Sequence, residues 1–252
     1  TLAPHVKRRA LLLRMTSKVT RTAIATLAAS RAGRASRSRK GRRGRPSLDS
    51  GDANTRDVLL DAASRRMNEL NSIDISLSDL AAHSGLNSAL VKYYFGNKEG
   101  LMLALLKRDA AKSLTELEHL VSMSLAPETK IKLHIGAVID TFHRSPYLNR
   151  LLHAMLDDRH SNTSSARQIA AFFVRPFVKL QRQLLDQGHQ AGSFRKVDPM
   201  FFYVSVLGAC DLLFNARFTL RSVFATPRIT DALRKRYVDH VAQMVLHGIG
   251  TR

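Results

Sequence analysis

Ser76-Leu77-Ser78-Asp79-Leu80-Ala81-Ala82-His83-Ser84-Gly85-Leu86-Asn87-Ser88-Ala89-Leu90-Val91-Lys92-Tyr93-Tyr94-Phe95-Gly96-Asn97-Lys98-Glu99 is the stretch that decides how this 252-residue chain reads. Ser76 and Asp79 have the spacing of a capping box with Asp in the Glu position, so a short helix starts after Ser76 and ends near His83. Gly85 supplies the positive φ of a tight turn. Leu86 then opens a second short helix, which Gly96-Asn97 ends. The pair reads as a helix-turn-helix. Ala82 is the small residue where the helices touch, and Leu80, Leu86, Val91 and Phe95 are the inward anchors. Ser88, Ala89, Lys92 and Tyr93 are left facing outward. In such a unit the second helix lies in the major groove of double-stranded DNA. Lys92 suits guanine O6 and N7, and Tyr93 suits a thymine methyl or a phosphate. Tyr94 and Lys98 are placed to grip phosphate, and Ser76 and Asn87 complete the candidate DNA-binding set.

Outward from this unit the helical spacing continues. Asn54 caps a helix over about 55–70, with Val58, Leu59, Ala62, Ala63 and Met67 on one side. Asn97 caps a fourth helix reaching about Val121. Further helices are expected over about 128–142, 147–156, 165–189, 199–220 and 230–247. The third of these should bend near Pro176, which lacks a backbone donor. Asp198-Pro199 opens the next one. No period-2 run argues for strands. The expectation is an all-α chain in three parts. Residues 1–51 form a basic arm, 52–99 an N-terminal three-helix helix-turn-helix DNA-binding domain, and 100–252 a C-terminal helical ligand-binding and dimerisation domain.

The charge is lopsided. The net charge is +20, and residues 1–51 hold 14 Lys or Arg against one acid, Asp49. An arm so poor in large apolar residues cannot bury enough surface to fold alone. It can release counterions from a polyanion, and nucleic acid is the usual one. Arg43-Gly44-Arg45-Pro46 resembles the core of an AT-hook, whose narrow extended backbone fits the minor groove, and this makes Arg43 and Arg45 candidate contacts.

Several function classes are excluded. Cys210 is the single cysteine, so neither an intramolecular disulfide nor a Cys-based zinc site is available, and a reducing, cytoplasmic setting fits. No apolar run reaches the ~18 residues of a membrane span. Leu11-Leu12-Leu13 is stopped by Arg14, too soon for a signal peptide. The chain opens on Thr1, and Met15 is a candidate start. GxSxG, P-loop and GxGxxG patterns are missing, so no enzyme and no cofactor are expected. His153, Asp157 and His160 read as a polar helix end rather than a metal site.

The segment from Gly85 to Leu101 is similar to the recognition-helix signature of the TetR (tetracycline-repressor-like) regulators: a Tyr/His-rich run, Phe, a two-residue turn and Lys-Glu-x-Leu. Leu77-Ser78-Asp79-Leu80-Ala81 matches the usual first helix of the unit. Lys92 departs from the pattern where an aromatic is common, and Leu90 where a small or hydroxylated residue is usual. The resemblance implies a homodimer that binds a palindromic operator and releases it when a small-molecule effector enters the C-terminal domain. It also implies pairing through the last two helices. Val204, Leu207, Leu212, Leu213 and Phe214 are indeed more apolar than one buried stripe requires, and Gly208 and Ala209 permit close approach. Phe142, Leu151, Met155, Phe173, Phe177, Phe201 and Cys210 are the candidate ligand-binding residues, with Asn149, His153, Asn215 and Arg217 as polar selectors. The rival reading is an architectural DNA-binding protein with no effector, using the arm to coat DNA.

Overall fold

The computed structural model describes residues 48–85, 87–157 and 164–251; the arm with Arg43 and Arg45, together with Leu86 and His160, lies outside the described residues. Eleven helices are described: α1 Leu48–Leu70, α2 Leu77–Ser84, α3 Ser88–Phe95, α4 Lys98–Ser122, α5 Pro127–Arg144, α6 Pro146–Leu156, α7 Ser164–Ile169, α8 Arg175–Gln190, α9 Pro199–Asn215, α10 Arg217–Ser222 and α11 Asp231–Ile249. An isolated bridge between Phe194 and Gly250 is the only extended pairing among the described residues. None of the described helices is long and apolar enough to cross a membrane.

The apolar residues gather in two cores. The first joins α1, α2 and α3 to the start of α4 and to α6; Leu59, Leu60, Met67, Leu80, Val91, Leu101 and Leu105 are all fully buried in it. This core runs past residue 99, because Leu101, Leu105 and Tyr147 belong to it. The second joins the end of α4 to α5, α8, α9 and α11, around Ile131, Ile135, Leu184, Phe194 and Val206.

Four boundaries differ from the sequence reading. α1 begins at Leu48, seven residues before Thr55. α3 begins at Ser88, because Asn87 takes the N-cap with φ −70° and ψ 138°. The expected bend at Pro176 is a five-residue π-turn, Ala170–Val174, closed by the Arg175 N–H on the Ala170 carbonyl. The wider register uses up the ladder just where Pro176 has no donor to offer. The helix expected over 199–220 breaks at Ala216 (φ −84°, ψ 31°), which neither Gly nor Pro marks.

Candidate nucleic-acid interface and effector cavity

The reading unit is held by its own turns. Ser76 Oγ accepts from the Asp79 N–H at 3.0 Å, and the Asp79 carboxylate accepts from the Ser76 N–H and hydroxyl at 3.3 and 2.7 Å. The Ser76 hydroxyl beside it lowers the Asp79 pKa. Ser76 is thus occupied as a cap. Gly85 takes φ 68°, and Gly96 takes φ 75° while donating to the Lys92 carbonyl. Asn87 Oδ1 accepts from the Ala89 N–H at 2.9 Å, and Asn97 Oδ1 from the Gly100 N–H at 2.8 Å. A Cβ on Gly100 would overlap the Phe95 carbonyl, so this turn leaves no room for a side chain.

These caps orient α3. Val91 is buried, Leu90, Tyr94 and Phe95 are half-buried, and Ala89, Lys92 and Tyr93 are exposed, Tyr93 to 72%. Positions 89, 92, 93 and 96 share one helical side, which is why these side chains project together. The Ser88 side chain lies outside the described residues. Tyr93 meets Tyr94 edge-on at 4.9 Å between centroids. Two expectations change. Ala82 is exposed rather than wedged between helices, and the half-buried Ala81 sits nearer the core. Lys98 Nζ donates to Asp74 Oδ1 at 2.7 Å, tying the α1–α2 loop to the start of α4; that bond lowers the Asp74 pKa. Arg56, which the sequence did not single out, lies over the Phe95 ring at 5.3 Å.

Behind the head lies a polar junction between α1, α4 and α6. Tyr147, fully buried, donates to Asp109 and accepts from the Ser64 hydroxyl at 2.9 Å. Burial and the adjacent Asp109 carboxylate raise the phenol's pKa and keep it protonated. Arg108 bridges Asp109 at 2.9 Å and Asp61 at 2.7 Å. Arg150 donates to Asn71 Oδ1 at 2.7 Å, and burial lowers its pKa. Yet Arg66 Nε, Asn68 Oδ1 and Arg150 Nε are buried without partners among the described residues, so the junction is incompletely satisfied in this arrangement.

The opposite side of α6 faces a cavity of about 700 Å³, open mouth included, bounded by α4, α5, α6 and α8. Phe142, Phe173 and Phe177 line it, as does Asn149 among the expected selectors. The other expected residues lie elsewhere. Leu151 and Met155 pack in the head's core, and Cys210 is sealed in the second core, where burial raises its thiol pKa to about 12. Phe201 is 64% exposed on the outer side of α9. His153, Asn215 and Arg217 are exposed, and Asn215 donates to Asp211 at 2.6 Å. The sequence reading missed His134, Leu117, Leu148 and Leu152 in the wall. His134 left a signal: it falls on the buried stripe of Ile131, Ile135, Val138 and Phe142, a polar residue at an apolar position. Burial lowers its imidazole pKa to about 4. The neutral ring accepts at Nε2 from the Gln181 amide NH2 at 2.8 Å.

On the outer side, Val204, Leu212 and Phe201 of α9 and Met244 of α11 are exposed apolar groups. Among the described residues, nothing beyond the helix's own backbone and chain neighbours would meet a Cβ on Gly208 or Gly248 within 4 Å.

Residues 124–251 match the family model described as tetracyclin repressor-like, C-terminal domain. The chain is similar to the HTH-type transcriptional regulator BetI of Brucella suis, at 30% identity over 73 residues, 29% of this chain and 37% of that protein. The match therefore spans little more than a third of that relative. The HTH-type transcriptional repressor NicS of Pseudomonas putida is 23% identical over 202 residues, 77% of this chain and 92% of its own. The solved structure of FadR from Bacillus subtilis in complex with stearoyl-CoA has a TM-score of 0.55 at 18% identity, over 74% of this chain and 97% of that one. At this identity the likeness concerns the fold.

Proposed function

The chain belongs to the tetracycline-repressor-like family of DNA-binding transcriptional regulators, and on that premise we propose that it is a cytoplasmic repressor that reads a palindromic operator as a homodimer and releases it when a small molecule fills the cavity. The observation that carries this is the orientation of α3. Ala89, Lys92 and Tyr93 stand outward together while Val91 and Leu80 anchor the helix from behind. Residues 52–99 serve as the reading head, with Ser88 as a further candidate contact. Residues 100–252 serve as the effector and dimerisation part. Arg43 and Arg45 add minor-groove or phosphate contacts, which are steeply salt-dependent.

One short helix reads too few base pairs to be selective, and two half-sites multiply the discrimination. The exposed stripe on α9 with Gly208, beside Met244 of α11, supports pairing of the last two long helices with their copies. Release follows from α6. Leu148, Asn149 and Leu152 face the cavity, while Tyr147 and Arg150 hold α1. A ligand that fits better when α6 is displaced shifts the population toward a head spacing that cannot span both half-sites.

Selection of duplexes from a random pool tests the reading. A palindrome with a defined centre is the expected product. Graded enrichment without a centre would favour the architectural rival, to which the basic arm alone lends support. Removal of residues 1–46 should flatten the salt dependence of binding, and an unchanged slope would remove the arm from the interface. Sedimentation should show twice the chain mass.

A further inference from the structure

The wall of the cavity carries information about what fills it. Apolar side chains such as Leu117, Val138, Phe142 and Leu152 make most of it, and its polar groups are sparse. Asn149 is one of them. It is 3% exposed, and its amide makes no hydrogen bond among the described residues. The amide atoms are not sealed in the protein but open onto the cavity, so a ligand that displaces water from them must replace its hydrogen bonds. An amide both donates and accepts, so the group that completes it must do both as well.

Charge narrows the choice. Glu116, which is exposed, is the single charged side chain in the lining among the described residues. Among the described residues no Lys or Arg reaches the wall. His134, the other nitrogen-bearing group there, is fully desolvated and already engaged by Gln181. A buried carboxylate or phosphate would meet no cation and would face Glu116. A buried ammonium would have only a carboxylate screened by solvent. Either ion pays desolvation without compensation.

We infer that the cavity takes an uncharged, largely apolar molecule with one amide-type hydrogen-bonding group, and that Asn149 reads that group. This rests on the reading of the cavity as the effector site. The three-way set octanamide, octanoate and octylamine tests it by calorimetric titration of the full chain at pH 7.5. Octanamide should bind about tenfold tighter than either ion, and Asn149→Leu should reduce that preference to about twofold. Should Asn149→Leu not fold, Asn149→Ala read by the same titration replaces it. Tighter binding of octanoate or octylamine overturns the inference, as does a preference untouched by the substitution or no binding by any of the three. Addition of octanamide to the complex with the selected duplex separates the two readings. Tight binding without release of DNA keeps the ligand class and removes the effector role. Release by octanoate instead keeps the effector site and removes the class.

Discussion

In α3 the apolar Val91 is buried and the polar Lys92 is exposed, whereas in α6 the polar Asn149 is buried against a cavity and Leu148 and Leu152 share its wall. Both helices are short and both rest on the same core, yet they carry their chemistry on opposite sides. The head has a filled interior and works with its surface. The C-terminal part contains a cavity, which on the proposed reading is where it works. Changes to the head's surface should therefore leave folding alone, and changes to the cavity wall should disturb folding and response together. The two regions share one core through α4 and α6, so the sharpest tests ask where that separation fails.

The largest expected effect is in the shared core. Leu105→Ala should lower stability by about 2–5 kcal/mol in denaturant melts, since Leu105 is fully buried in the head's core. A loss under about 1 kcal/mol would show a loosely packed head and blur the contrast.

Next is pH dependence through His134. Its imidazole is held neutral, with a pKa near 4 in the folded chain against 6.5 when free. Between those values only the unfolded chain binds the proton, so this group's contribution is complete above about pH 6.5. It is lost as pH falls toward about 4. The loss amounts to about 3 kcal/mol over the window. Melts of His134→Gln against the native chain across pH 4–7 isolate it, and parallel profiles would mean the ring is hydrated and the cavity wall open.

Third, Lys92→Ala should cost about 1–3 kcal/mol on the preferred duplex and relax the choice of base, with stability unchanged within about 0.5 kcal/mol. A uniform loss across sequences would mean phosphate contact only. The smallest effect belongs to Ser76→Ala, which removes the cap of α2 and should lower stability by about 1 kcal/mol. No change would mean that Asp79 and solvent hold the turn without it.

Much of the head was legible because its signals are local. Ser76, Gly85, Gly96 and Asn97 each act on residues within a few positions, and each appears in the structure as a cap or turn; the Asn87 cap was not read. The Lys98 ion pair was not legible, because its partner Asp74 comes from another segment. Leu151, Met155, Phe201 and Cys210 were grouped with the cavity for their apolarity. Hydrophobic spacing says that a side needs cover and not what covers it. Phe201 instead looks outward, Cys210 is core, and Leu151 and Met155 support the head. His134 and Lys130 could have been flagged as polar residues on a buried stripe. Lys130 turns out to bond the Val121 carbonyl and Gln187 at 2.8 Å each, closing the end of α4.

By itself the sequence determined the run of helices, the reading unit and which of its side chains look outward, because helix periods, caps and left-handed glycines act between near neighbours. Only the tertiary structure decided the division of the apolar residues into two cores and a cavity. It alone also brought Tyr147 to Ser64, 83 positions away, and left the Asn149 amide without a partner among the described residues. Those outcomes depend on which surfaces meet after the helices form, and a one-dimensional pattern does not encode the neighbour that each surface will find.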